Sequence, residues 1–240
     1  PDAGIATYTQ MIDRVATIAA KTDASVIADA DTGYGGLLNV HHTVRGYEDA
    51  GVVGIQIEDQ EFPKKCGHTP YKRVIPLEDM VEKVKVACDA RRNPTETLII
   101  ARTDARQSEG FDRALERCLA YGEAGADLVF LEALHSEDEM RAFCKASPKP
   151  TFANMADGGQ TPIRPAAELE DIGYSVAIFP AIAALSAAAA VEKAYRHLKA
   201  TGTSQAPDIP LFSFEEFNQL IGFPEIWEFE RKWGGASNED

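Results

Sequence analysis

Two rhythms of apolar and polar positions alternate along this chain. Six short β-branched runs, at 26–31, 53–59, 98–104, 128–133, 151–156 and 176–181, have the length and composition of buried strands. Between them lie segments of helical period. Over 77–90, Met80, Val81, Val84 and Ala87 share a face; over 111–124, Ala114, Leu115, Cys118 and Tyr121 do. This alternation predicts an α/β fold with parallel pairing through right-handed crossovers. A weak repeat supports it. Glu48-Asp49-Ala50-Gly51, Gly122-Glu123-Ala124-Gly125 and Glu170-Asp171-Ile172-Gly173 each close a helix at a Gly suited to the left-handed C′ conformation, just before a strand.

The polar residues at the strand ends choose between architectures. Asp29, Asp31, Glu58, Asp59, Arg102, Asp104, Glu132 and Asn154 lie near the C-terminal ends of successive runs. A barrel gathers such ends at one mouth, whereas an open doubly wound sheet has its site at a single switch point. The chain therefore reads as a (β/α)8 TIM barrel showing six of its units. Residues 1–200 form the barrel domain and 201–240 a helical tail. The tail's amphipathic stretch at 212–233, with Phe214, Phe217, Leu220, Ile221, Phe223 and Trp227, is expected to pack on the barrel or on a partner subunit.

Composition narrows the function. The 240 residues are 45% hydrophobic and carry a formal net charge of −14, which argues against nucleic acid and anionic membrane as partners. An anionic substrate stays admissible, because a bound divalent cation inverts the local potential. No run approaches the roughly 18 apolar residues of a membrane span. The Ala-rich stretch at 181–190 runs straight into Glu192, Lys193 and Arg196, and reads as a packed amphipathic helix. The four cysteines form no CxxC pair, so reduced thiols and a cytoplasmic location are expected. The opening Pro1-Asp2-Ala3-Gly4 reads as the start of a fragment, which leaves a preceding targeting segment open.

Three motifs carry chemistry. In Ala28-Asp29-Ala30-Asp31-Thr32-Gly33-Tyr34-Gly35 the two aspartates project to the same side of a strand, and carboxylates that close repel unless a proton or metal intervenes. They either cap the following turn or, with Glu58 at the next strand end, hold a metal. Oxygen donors without a His or Cys cluster suit Mg2+ or Mn2+. The Gly33–Gly36 run lacks Walker spacing and reads as a tight turn. In Lys64-Lys65-Cys66-Gly67-His68, after Phe62-Pro63, a thiol sits among cations that favour its thiolate; the segment is a mobile loop over the mouth or an incidental basic turn. Arg102, in Ala101-Arg102-Thr103-Asp104, offers a fork for a substrate carboxylate or makes a structural ion pair, and Glu132 and Asn154 invite the same two readings.

Taken together, ADADTGYGG, IQIEDQEFPKKCGH, IIARTDAR, FLEA and ANM resemble the isocitrate lyase / phosphoenolpyruvate mutase superfamily over nearly the whole chain. The resemblance implies a (β/α)8 barrel whose eighth helix is swapped in a homodimer or homotetramer. It implies Mg2+ (or Mn2+) held by Asp29, with Asp31, Glu58 and Asp2 acting largely through water. It also implies Cys66, His68, Arg102 and Glu132 as catalytic residues, and Lys64, Gly67 and Asn154 as substrate-binding ones. The family's first strand, most of its second and a Ser-Gly backbone site precede the Pro-Asp pair, so residues 1–240 alone are expected to be inactive or poorly folded. Cys66 points to the carbon–carbon lyases rather than the phosphonate-forming mutases. Ile178-Phe179-Pro180 resembles the 2-methylisocitrate and 2,3-dimethylmalate lyase branches rather than oxaloacetate hydrolases. The implied activity is cleavage of a 2-hydroxy di- or tricarboxylate into a 2-oxo acid and a second carboxylic acid. Oxaloacetate hydrolase or decarboxylase activity, phosphonate-forming mutase activity and a catalytically inactive binding barrel are the alternatives.

Overall fold

The computed structural model describes residues 2–206 and 208–234. Six strands form one parallel sheet: β1 (Ile27–Asp29), β2 (Gly54–Glu58), β3 (Leu98–Thr103), β4 (Leu128–Leu131), β5 (Thr151–Asn154) and β6 (Val176–Ile178). They are the six runs read from the sequence, each trimmed where the chain leaves the ladder for a loop. Their order is β1-β2-β3-β4-β5-β6 with no reversal, so the sheet has no switch point and is an arc of barrel wall.

The helices follow in step. Those preceding the tail are α1 (Tyr8–Ala19), α2 (Leu37–Asp49), α3 (Leu77–Ala90), α4 (Arg106–Glu109), α5 (Phe111–Glu123), α6 (Glu137–Ala146) and α7 (Ala166–Ile172). α3 and α5 bury the expected faces, with Met80, Val84 and Ala87 on one and Ala114, Cys118 and Tyr121 on the other. Starts are marked by side-chain caps, Thr7 with Gln10 on α1 and Ser136 to the Glu139 amide on α6. The three repeat glycines, Gly51, Gly125 and Gly173, all have φ between 85° and 116°, as the helix-ending reading requires.

The period-2 alternation of the strands divides the core. On β3, Ile99 and Ala101 enter the large cluster shared with the helices, while Ile100 faces the opposite side. On β4, Val129 and Leu131 do the former, Leu128 and Phe130 the latter. The inner face thus carries a small apolar floor of Ile100, Leu128, Phe130 and Phe152. Continuing each strand upward in steps of two gives Asp29, Glu58, Arg102, Glu132 and Asn154. The site is therefore built by parity.

The chain divides into two compact units, Pro1–Ile182 and Ala183–Asp240. The division falls at the start of α8 (Ile182–Thr201), where the sequence reading has the boundary at 200. α8 is helical, as expected of the Ala-rich stretch, and none of its residues is buried in this chain. Its apolar side chains are mostly the single methyls of alanine, which anchor a helix weakly. The second unit also holds α9 (Phe214–Leu220) and α10 (Phe223–Trp233). Among the described residues, no helix is long and apolar enough to cross a membrane.

Candidate active site

A cavity of about 470 Å3 opens over the inner face of the sheet. Ile27, Asp29, Gln56, Arg102, Glu132, Phe152, Asn154, Ile178 and Pro180 line it from the strands. Asp2, Lys64, Cys66, Gly67 and His68 line it from the first residues and from the β2–α3 loop. Register explains the neighbours: Glu58 stands opposite Arg102, and Arg102 opposite Phe130, whose ring lies 4.9 Å beneath the guanidinium.

The acidic end holds the residues expected to bind metal. Asp29 Oδ1 accepts the Asp31 amide at 2.8 Å, and Asp31 takes φ 48° as the chain turns into Thr32-Gly33. Lys64 places its ammonium 2.8 Å from both Asp2 Oδ1 and Asp31 Oδ1. It is therefore turned to the carboxylates rather than to the Cys66 thiol or a substrate. Burial opposes that charge, yet Glu58, Asp29, Asp2 and Asp31 hold the lysine above its usual range. Burial likewise raises the Asp31 carboxyl, with Lys64 pulling it down and Asp29 pushing it up. Glu58 is fully buried, and burial lifts it well above the ordinary carboxylate value against the pull of Arg102.

The fit to a hard divalent cation rests on orphaned atoms. Among the described residues, the buried side-chain polar atoms without a hydrogen-bond partner are Glu58 Oε1 and Oε2, His68 Nε2 and Asn154 Oδ1. Arg102 Nε approaches Glu58 Oε2 only to 3.4 Å. Buried carboxylate oxygens left unpaired are costly and call for a ligand. The donors here are all oxygen, as Mg2+ prefers. Among the described residues no three His, Cys, Asp or Glu side chains converge tightly enough to chelate an ion unaided.

The opposite end is a linked set of charges. Arg102 donates from Nε to Asp104 Oδ2 at 2.8 Å and from Nη2 to Asp104 Oδ1 at 3.1 Å, and Nη2 lies 3.1 Å from Glu132 Oε2. The fork expected to clamp substrate is thus held by Asp104. Burial would raise Asp104, but Arg102 and Lys72 overcome it and hold the carboxyl low. Glu132 accepts the Ala133 amide at 2.7 Å and Asn154 Nδ2 at 2.8 Å, which leaves Asn154 Oδ1 free toward the cavity. His68 Nδ1 accepts the Gln160 amide at 3.2 Å, so the neutral ring carries its proton on Nε2, 3.4 Å from Glu132 Oε1. Cys66 is half-buried on the same loop, its amide donating to the Asp2 carbonyl at 3.2 Å. All eleven residues expected at the site from the sequence are thereby placed in one neighbourhood.

Sequence reasoning left out Lys72. Its side chain is 1% exposed, and its ammonium donates to the Gly67 carbonyl and to Asp104 Oδ1. A lysine between Tyr71 and Arg73, both exposed, carries no sequence mark of burial. Asp59 belongs elsewhere. Its odd parity sends it away from the cavity, to Thr103, Tyr121 and Arg117.

Comparison with known proteins supplies the relatives. The phosphoenolpyruvate phosphomutase family matches residues 1–199. The chain is 45% identical over 233 residues to 2,3-dimethylmalate lyase of Eubacterium barkeri, covering 97% of this chain and 80% of that protein. It is 43% identical over 223 residues to 2-methylisocitrate lyase of Aeropyrum pernix, covering 93% and 71%. Among solved structures, oxaloacetate acetylhydrolase in complex with 3,3-difluorooxalacetate superposes with a TM-score of 0.91 at 31% identity, over 99% of this chain and 80% of that one. Phosphonopyruvate hydrolase in complex with oxalate and Mg2+ does so with a TM-score of 0.83 at 28% identity, over 97% and 81%.

Proposed function

The chain belongs to the phosphoenolpyruvate mutase / isocitrate lyase superfamily as a lyase-type enzyme, and from that premise we propose that it is an Mg2+-dependent lyase cleaving a 2-methylisocitrate- or 2,3-dimethylmalate-like hydroxy acid. The observation that carries this reading is that Asp2, Asp29, Cys66 and Glu132 line one cavity with the unpartnered His68 Nε2 and Asn154 Oδ1, while the two unpartnered oxygens of buried Glu58 lie next to the cavity-lining Arg102. Asp29, Asp31, Glu58 and Asp2 are the residues to hold the ion, directly or through water. When bound, Mg2+ supplies Lewis-acid stabilisation of negative charge on a substrate oxygen.

The chain's own residues supply the rest. Arg102, with Asn154 and His68, binds the carboxylate of the part that leaves, and the donor already at His68 Nε2 faces that space. As the hydroxyl proton departs, the carbon–carbon bond breaks, a 2-oxo acid forms, and the electron pair stays on the leaving acid as its enediolate. The Cys66 thiol then gives its proton to that carbon, and a proton equivalent to the one lost from the hydroxyl restores the thiol, so the turnover is proton-neutral. The loop carrying Cys66 excludes water from the cleaved pair. Pro180 and Cys66 both line the cavity, which favours the hydroxy-acid lyases over oxaloacetate hydrolysis.

Replacing Cys66 with Ser tests the proton donor. The variant is expected to lose about 10²-fold or more in turnover, the scale of general-acid catalysis, with Mg2+ affinity by calorimetry unchanged. An unaltered rate removes Cys66 from the reaction.

A further inference from the structure

Lys72 is a buried cation without a place in the reaction just described. It sits on the β2–α3 loop five residues after Gly67 and reaches back with one ammonium to two acceptors. One is the carbonyl of Gly67, within the loop itself. The other is Asp104 Oδ1, just past the end of β3, at 3.0 Å. That same oxygen accepts Arg102 Nη2 at 3.1 Å, while Asp104 Oδ2 accepts Arg102 Nε at 2.8 Å.

The loop is seated closely where Lys72 holds it. A β-carbon on Gly67 would stand 2.3 Å from Arg102 Nη2, 2.7 Å from Glu132 Cγ and 2.9 Å from Asp104 Oδ1, so the backbone at Gly67 lies directly on the charged cluster. Only a residue without a side chain fits. The segment is also tied by Lys64 to Asp2 and Asp31, by the Cys66 amide to the Asp2 carbonyl, by Lys65 to the Gln60 side chain and by His68 to the Gln160 amide and, at 3.4 Å, to Glu132; none of these ties reaches Asp104. Electrostatics points the same way. Arg102 faces three carboxylates, those of Glu58, Asp104 and Glu132, and Lys72 is the loop's cation in direct contact with one of them. Lifting the loop would leave Asp104 to Arg102 alone.

We propose that Lys72 is a positioning residue that latches the Cys66–His68 lid onto Asp104 and, through the shared Asp104 oxygen, fixes Arg102 as the lid seats. The role of the latch in catalysis rests on the function proposed above, but its seating is read without turnover. The probe is the rate of iodoacetamide alkylation at Cys66, followed by peptide mapping, with the buried Cys118 as internal control. Lys72→Met is expected to speed alkylation of Cys66 at least tenfold and to leave Cys118 silent, and Lys72→Arg, which keeps a donor, to restore much of the protection. Gly67→Ala, which pushes the loop off Arg102 while leaving Lys72 intact, is expected to give the same acceleration. Combining it with Lys72→Met should add little, because both release one contact surface. Should Lys72→Met fail to fold, Gly67→Ala and Lys72→Arg still decide: Cys66 protection lost in the first and kept in the second supports the latch. Unchanged Cys66 reactivity in Lys72→Met or in Gly67→Ala, or additive effects in the double variant, would overturn it. A protein that shows the latch but cleaves neither hydroxy acid contradicts the proposed function alone; one that cleaves them with Cys66 reactivity indifferent to Lys72 contradicts the latch alone.

Discussion

At the scale of single residues, side-chain parity separates the chemistry from its support. Glu58 and Asp59 are adjacent acids at one strand end, and a period of two sends them to opposite faces. Glu58 goes to the inner face beside Arg102 with neither oxygen in a hydrogen bond; Asp59 goes to the helix side with three side-chain donors and the Asp104 amide. The raised Glu58 carboxyl gives a pH prediction. Its native value lies above its unfolded one, so the metal-free fold binds the extra proton and loses stability as pH rises out of the ordinary carboxylate range. A divalent cation competes with that proton, so Mg2+ affinity should climb between about pH 5 and pH 8 with proton release. Calorimetry in buffers of different ionisation enthalpy measures it; affinity that is flat or falls with pH would exclude Glu58 as a ligand. The strand-end residues were legible in the sequence because alternation places them. Lys72 and the inward turn of Lys64 were not, because both depend on how a loop folds back over charges that lie distant in the chain.

At the scale of elements, the helices hold the rim in position through a few buried polar ties. α5 is fastened to the end of β2 by Tyr121, whose hydroxyl donates to Asp59 Oδ2 at 2.7 Å, and by Arg117, which reaches Asp59 at 3.3 Å and Glu109 at 2.8 Å. Removing one partner of a buried pair leaves the other charge uncompensated, typically at a cost of about 3–5 kcal/mol. Arg117→Met should therefore lower the thermal midpoint by roughly 6–20 °C. A shift within about 2 °C on a calorimetric scan would mean that Asp59 is satisfied without it. The strands and the faces of α3 and α5 were readable from period alone. An alanine-rich helix such as α8 has too little apolar area for period alone to show a packing face.

At the scale of the molecule, the in-order parallel sheet explains why residues from five successive strands share one mouth. The tail exposes Phe212, Phe214, Leu220, Phe229 and Trp233, and α8 exposes Ile182, Leu185 and Tyr195. Apolar side chains in this number support the proposal of a homodimer or homotetramer. Sedimentation velocity should show a species heavier than the 26.1 kDa chain, and a monomer at micromolar concentration would contradict it. The protein, expressed at its full natural length, is incubated with Mg2+ and, separately, 2-methylisocitrate, 2,3-dimethylmalate, oxaloacetate and phosphonopyruvate, and the products are read by NMR. The predicted result is a 2-oxo acid and a second carboxylic acid from one of the first two, abolished by EDTA. Conversion of oxaloacetate or phosphonopyruvate with both hydroxy acids left intact, or no conversion at all, would contradict it.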